Sequence, residues 1–266
     1  MEIDFYKYHG TGNDFIMIDN RGGAFPKNNT SLVQHICDRR FGVGGDGLIL
    51  LEDDKNSDFR MVYYNSDGNQ SSMCGNGGRC IVAFAKKLGI INEDTTEFIA
   101  TDGLHDAIIN IRGFVTLRMK DVADIKMHPQ HIFLDTGSPH HIEFVEDLRN
   151  IDIKKKGAEI RYSQLYGETG SNVNFVKPDG TDIFSVRTYE RGVEDETLSC
   201  GTGAVAVAIA AHALRKTTAT TIHINVEGGK LEVSFNPRDG IYTDVFLSGP
   251  AEFVFKGTLN IEQWQH

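Results

Sequence analysis

The sequence predicts a mixed α/β chain of the α+β type, made of two copies of a domain-sized unit, each a curled β-sheet around one central buried helix. Three observations carry this. Two cysteine-centred segments repeat at long range. Short strands with turn punctuation fill both halves. One helix per half follows the cysteine, and the second has no polar face, so it must be buried on all sides.

The repeat comes first. Met73-Cys74-Gly75-Asn76-Gly77-Gly78 opens one apolar run and Ser199-Cys200-Gly201-Thr202-Gly203-Ala204 another, the cysteines offset by 126 positions. Gly12-Asn13-Asp14 and Gly137-Ser138-Pro139 lie 125 positions apart, each before an apolar stretch. Tyr63-Tyr64-Asn65 precedes the first cysteine as Thr188-Tyr189-Glu190 precedes the second. A period this long is that of a duplicated domain, not of a solenoid.

Strands are expected at 3–8, 14–19, 47–52, 59–65, 96–101, 105–111 and 114–120, then at 131–135, 141–146, 173–177, 182–189, 221–227, 230–235, 241–247 and 251–256. Gly228-Gly229 reads as a hairpin turn. The helix Gly78–Leu88 ends in Lys86-Lys87 with Gly89 beyond, and Gly203–Leu214 ends before Arg215-Lys216; both have the basic last turn of a helix end. A third helix, about Ser31 to Arg40, takes Ser31 as N-cap, with Gly42 past its end. Residues 121–130 read as the least structured linker and the best boundary.

Composition narrows the function. A formal charge of −10 argues against nucleic acid, which needs a basic surface. No apolar stretch is long enough for a membrane span, and the early Glu2, Asp4 and Asp14 fit no signal peptide. A cytoplasmic chain is expected, with its four cysteines unpaired. No metal is expected, because the cysteines form no CxxC pair. Cys37 and Cys80 lie in apolar helical runs and read as small core residues.

Cys74 and Cys200 differ, since glycine and polar residues flank them. The first turn of a helix carries unpaired N–H groups and partial positive charge. It seats a carboxylate and favours a thiolate. A carboxylate held by both helix mouths would place its neighbouring carbon between two sulfurs, one thiolate and one thiol. That suits cofactor-independent racemisation or epimerisation of an α-amino acid, with the pair sharing one proton.

Together these segments resemble the diaminopimelate epimerase family. The matching stretches are His9–Phe15, Asn65–Gly68, Met73–Gly77, Gly137–His140, Asn172–Phe175, Glu190–Gly192 and Ser199–Ala204. The resemblance implies conversion of LL- to meso-diaminopimelate in lysine biosynthesis, with no cofactor. It implies two pseudo-symmetric α/β domains with the active site in the cleft between them, the final strand returning to the first: 1–120 plus 253–266, and 121–252. A homodimer is usual in the family.

By resemblance, Cys74 and Cys200 are the acid–base pair. Gly75-Asn76 and Gly201-Thr202 seat the reacting carboxylate. Asn13, Asn65, Asn172, Glu190 and Arg191 contact substrate, and His140 and Glu190 tune the cysteines. The chemistry agrees: Arg191 can grip a remote carboxylate bidentately, and Glu190 can receive an ammonium. Serine stands at 138 where the family often has asparagine; a ligand contact there would be lost or carried by water. The competing readings are a proline-racemase-like enzyme, which would not need a far-end ammonium and carboxylate site, and a non-catalytic amino-acid binder or redox sensor.

Overall fold

The computed structural model describes residues 1–71 and 73–264; positions 265 and 266 of the expected first domain lie outside the described residues. The chain divides into two compact units, Met1–Leu117 with Pro250–His266, and Arg118–Gly249.

The first unit runs β1 (Glu2–Gly10), β2 (Asn13–Asp19), α1 (Thr30–Cys37), β3 (Gly47–Glu52), β4 (Phe59–Asn65), β5 (Gln70–Ser71), α2 (Gly75–Lys87), β6 (Thr95–Ala100), β7 (Gly103–Ile109) and β8 (Phe114–Arg118). In the second unit follow β9 (Ile125–Met127), β10 (Ile132–Asp135), β11 (Pro139–Phe144), α3 (Ile153–Arg161), β12 (Asn172–Pro178), β13 (Ile183–Glu190), β14 (Asp195–Thr197), α4 (Gly201–Ala213), β15 (Thr221–Val226), β16 (Gly229–Arg238) and β17 (Ile241–Pro250). The last strand, β18 (Glu252–Asn260), belongs to the first unit.

The two units repeat one topology. The first sheet runs β18–β1–β2–β3–β4–β6–β7–β8, with β2–β3 and β4–β6 parallel and the other neighbours antiparallel. The second runs β9–β10–β11–β12–β13–β15–β16–β17, with β11–β12 and β13–β15 parallel at the matching places. Each parallel step is bridged by a helix, α1 and α2 in one unit and α3 and α4 in the other, as a parallel connection requires.

Alternation along the strands sends residues to both faces. Ile16, Ile18, Leu48 and Leu50 pack with Leu32, Val33 and Ile36 of α1. Phe15, Ile49 and Met61 face α2, where a Cβ on Gly77 would lie 3.0 Å from Ile49 Cδ1. In the second unit Val173, Phe175 and Tyr189 pack under α3. Residues 204–211 of α4 are buried among Ile132, Ile142, Phe184, Val186, Ile222 and Val233. A helix made of alanine, valine and isoleucine can sit inside a curled sheet in this way because it is narrow and wholly apolar.

Both central helices begin earlier than hydrophobic periodicity indicates. Cys74 is the N-cap of α2 and Cys200 of α4, so the glycine-rich segments are the first helical turns rather than loops before them. Asn29, not Ser31, caps α1: its side chain accepts from Leu32 N. That helix stops at Cys37, because Asp38 turns extended and its carboxylate takes up the amides of Arg40 and Phe41. The helix α3 has little sequence signal: Lys154-Lys155-Lys156-Gly157 hides its period, yet Asp152 caps it and Gly157 lets it approach Tyr189. Residues 121–130 are not an open linker. Val122 is buried and bridges to Tyr242, and Ile125–Met127 pairs with β10. The hairpin loop after β15 is Glu227-Gly228, with Gly229 already paired to Val226.

Candidate active site

In the first unit the candidate residues gather where β2 starts and α2 begins. Cys74, half-buried, has extended backbone (φ −103°, ψ 132°) and its side chain makes no capping bond to the turn it starts. Its Sγ lies 3.7 Å from Asn13 Oδ1, which also accepts from Asn76 Nδ2 at 3.2 Å. Asn13 in turn donates to Asp46 Oδ2 at 2.5 Å. Asp46 and Asp14 share Arg39, at 2.7 Å each, and Asp14 also takes Lys7 at 2.6 Å. Burial pushes the Asp14 carboxyl up, but hydrogen bonds and charge from Arg39 and Lys7 outweigh it and hold the group at about 2. Asn65 ends β4, its carbonyl closing a tight turn with the amide of Gly68 at 2.9 Å.

In the second unit a chain of neutral polar groups leads to Cys200. His140 is fully buried; burial, then the charge of Arg191, pushes its imidazole down to about 3, so the ring is neutral. Asn174 Nδ2 faces His140 Nδ1 at 3.2 Å and donates to His141 O at 3.1 Å, while its Oδ1 accepts from Thr188 Oγ1 at 3.0 Å. This arrangement makes Nδ1 the acceptor and places the ring proton on Nε2. Nε2 then donates to Thr202 Oγ1 at 3.0 Å, and the threonine hydroxyl, 3.5 Å from Cys200 Sγ, has its own proton to offer the sulfur. Thr136 Oγ1 donates to the Thr202 carbonyl at 2.9 Å. Gly203 admits Asn174, whose Oδ1 would lie 2.7 Å from a Cβ there.

Asn172 spends both side-chain donors on Ser138 Oγ (2.9 Å) and Pro139 O (3.1 Å), and accepts from Arg191 N at 2.8 Å. Ser138 therefore holds Asn172, which leaves one Oδ1 lone pair for a ligand. Arg191 Nη1 donates to Thr169 O at 3.0 Å, and Glu190 Oε2 accepts from Thr197 Oγ1 at 2.9 Å. Gly75 and Gly201, both buried, are the first helical residues after the caps, and Thr202 follows at the second position of its turn as Asn76 does.

The structure thus brings Asn13, Cys74, Gly75 and Asn76 into one cluster, and His140, Cys200, Gly201 and Thr202 into another, with Asn172, Glu190 and Arg191 around the end of β13. The sequence alone assigns no site role to Asn174 or Arg79, and Thr188 stands out in it only as part of the repeat. Asn174 lies in the quoted stretch Asn172–Phe175, and a polar residue inside an apolar strand was its signal. Cys37 and Cys80 are buried, with burial pushing both thiols up to about 12, inert as core residues should be.

The diaminopimelate epimerase model matches residues 5–122 and 132–254. A diaminopimelate epimerase of Flavobacterium psychrophilum is 65% identical, over 97% of this chain and 100% of the relative. This chain belongs to the diaminopimelate epimerase family. Its fold is shared with a phenazine-biosynthesis PhzF-family protein of Bacillus anthracis (TM-score 0.78, 12% identity, 97% of this chain and 99% of the other). It is shared too with a hydroxyproline epimerase of Agrobacterium vitis (TM-score 0.70, 15% identity, 97% and 92%). At such identities the likeness is one of fold. Membership of the diaminopimelate epimerase family makes the chain an isomerase, and among its described residues no helix is long and apolar enough to cross a membrane.

Proposed function

We propose that this chain interconverts LL- and meso-diaminopimelate in lysine biosynthesis by a two-base mechanism, without a cofactor, as a cytoplasmic homodimer. One thiolate removes the α-proton and the other thiol returns a proton to the opposite face. The observation that carries this reading is that Cys74 and Cys200 stand at the same place in two copies of one topology. Each is the N-cap of the central helix, with a glycine as the next residue.

The reacting carboxylate sits on the first-turn amides of α2 and α4, at Gly75-Asn76 and Gly201-Thr202, where N–H groups and helix dipoles favour negative charge. Charge developing at the α-carbon spreads onto that carboxylate and is stabilised by the same donors. Asn13, Asn65, Asn172, Glu190 and Arg191 read the substrate, Arg191 and Glu190 at the charged groups of the far end. His140 tunes Cys200 as a neutral donor acting through Thr202. A site that hydrogen-bonds a remote ammonium and carboxylate rejects substrates lacking them, because its own polar groups are left unpaired.

The test is deuterium wash-in at the α-carbon in heavy water, with diaminopimelate and proline side by side. Exchange is expected with diaminopimelate only. Exchange into proline alone would overturn the substrate, and binding without exchange would leave a binder. Cys74→Ala and Cys200→Ala should each lower turnover by ~10²-fold or more, the low end for a lost general acid or base; near-normal turnover in either would exclude the two-base scheme.

A further inference from the structure

Arg79, one turn inside α2, is 0% exposed, and no carboxylate among the described residues pairs with it. Its Nη2 donates to Asn76 Oδ1 at 3.0 Å and Thr11 Oγ1 at 3.2 Å, and its Nε to Pro250 O at 3.3 Å. Nη1 has no hydrogen-bond partner among the described residues. Every acceptor it does have is neutral.

The placement is doubly unfavourable for a cation. Burial without a counter-charge is costly. Side chains on a helix also lean toward its N-terminus, here the positive end of the helix dipole, which favours anions. The fold does not require the charge: Val205 holds the matching position five residues after Cys200 in α4. Yet room is kept for it. A Cβ on Gly10 would lie 3.0 Å from Arg79 Nη2 and 3.1 Å from Asn76 O. Among the described residues, the groups whose negative charge favours the charged guanidinium are the thiols of Cys80 and Cys74. Cys80 is walled into the core, so Cys74 remains.

We propose that Arg79 is the built-in counter-charge for the anions that collect at the mouth of α2: the Cys74 thiolate and the substrate carboxylate on the Gly75-Asn76 amides. It is a positioning residue. It orients the Asn76 amide, so that Nδ2 faces Asn13, and it supplies a fixed charge beneath the carboxylate seat. Asn13 Oδ1 faces the sulfur and favours the protonated thiol, while the buried guanidinium favours loss of that proton. The opposed influences keep the thiol able to serve as acid or base. In the second unit the equivalent influence is dipolar, through Thr202 and His140. The proposal rests on the reading of Cys74 as an acid–base group.

The test is the pH dependence of iodoacetamide alkylation, read separately at the Cys74 and Cys200 peptides by mass spectrometry, in wild type, Arg79→Met and Arg79→Lys. Loss of an opposite charge at close range should move the Cys74 midpoint up by ~1 unit or more. Arg79→Lys should hold it near wild type, and the Cys200 midpoint should stay put. In turnover, Arg79→Met should lower kcat and raise KM, and shift the basic-side pH profile upward. A purely structural role would lower Tm and leave the Cys74 midpoint and the pH profile where they were; that result overturns the proposal. Should Arg79→Met not fold, Thr11→Asp keeps the arginine and gives it a carboxylate. Thr11 has φ +52°, a conformation aspartate tolerates. This variant should melt no lower than wild type yet raise the Cys74 midpoint, and an unmoved midpoint there again overturns the proposal. Alkylation needs no turnover, so absent deuterium exchange into diaminopimelate would sink the epimerase reading and leave this experiment able to judge Arg79.

Discussion

The Thr202 hydroxyl meets both His140 Nε2 and Cys200 Sγ, so Thr202→Val tests what the hydroxyl does. Valine keeps the shape and removes one acceptor and one donor. The acceptor served His140 Nε2 at 3.0 Å, inside a fully buried ring. Leaving that N–H unsatisfied costs ~1–3 kcal/mol of stability. The donor faced Cys200 Sγ at 3.5 Å. A hydrogen bond to an ionised partner is worth ~1.5–3 kcal/mol, and sulfur at this distance puts the value at the low end. The thiolate form of Cys200 should therefore be disfavoured by about 1 pH unit, since one unit is 1.36 kcal/mol. Turnover in the direction that uses Cys200 as base should fall ~10-fold or more. The assay is kcat from each stereoisomer, with the alkylation midpoint of Cys200 and a thermal melt beside it. Thr202→Ser should recover the midpoint because it restores the hydroxyl. Loss of stability with an unmoved Cys200 midpoint and equal kcat in both directions would refute the argument: the threonine would then satisfy the histidine and do nothing to the sulfur.

The Asp14 pair gives an acid-stability test. Its carboxyl, held at about 2 against an ordinary 3.8, contributes stability that is complete above about pH 4 and is lost as pH falls toward 2. Solvent reaches part of the pair, so the linked stability is ~1–2 kcal/mol. Asp14→Asn also strands the buried Lys7, so the gap to wild type in urea unfolding should be ~2 kcal/mol or more at pH 6 and narrow below pH 4; a gap independent of pH refutes it. Gly203→Ala forces a methyl to 2.7 Å from Asn174 Oδ1 and 3.3 Å from Cys200 Sγ. Overpacking of a fixed polar cluster should cost ~1–3 kcal/mol and lower turnover together, read by thermal melt and exchange rate; a variant with wild-type values in both would show that the cluster yields easily.

The repeat, the order of most strands and both helix-mouth cysteines were legible because each has a strong local signature: alternation, an all-apolar helix, glycine after cysteine. What escaped had its cause in tertiary structure. The helix α3 buries only Ile153 and Gly157 along its length, too little for a period to stand out from Lys154-Lys155-Lys156. Strand β9 is three residues long and is ordered by pairing with β10. The starts of α2 and α4 were placed late because their first turns are glycine, asparagine and threonine, types that read as turn. At the site, the cysteines and the asparagines were visible as motifs. The partners that set their properties were not, because Asn174 reaches His140 from 34 positions away and Asn13 meets Cys74 from 61.

A duplicated fold supplies two helix mouths with equal dipoles, but a two-base reaction asks for unlike partners, one sulfur charged and the other carrying the proton. Identical surroundings would leave that choice to chance in each resting molecule. The two copies differ in the second layer around the cysteine. Cys74 faces the Asn13 carbonyl, which links it through Asn76 to a buried guanidinium and through Asp46 to a lattice of Arg39, Asp14 and Lys7. Behind Cys200 lie Thr202, a neutral His140, Asn174 and Thr188, with no formal charge in the chain. Charge acts over a longer range than a hydroxyl dipole and does not depend on a rotor angle, so under the proposed roles the first copy would bias protonation by field and the second by hydrogen bonding. On the proposed mechanism the helix mouth is shared because each sulfur needs amide donors beside it to seat a carboxylate. On the same reading the second layer has diverged because the two sulfurs must differ in protonation when substrate binds.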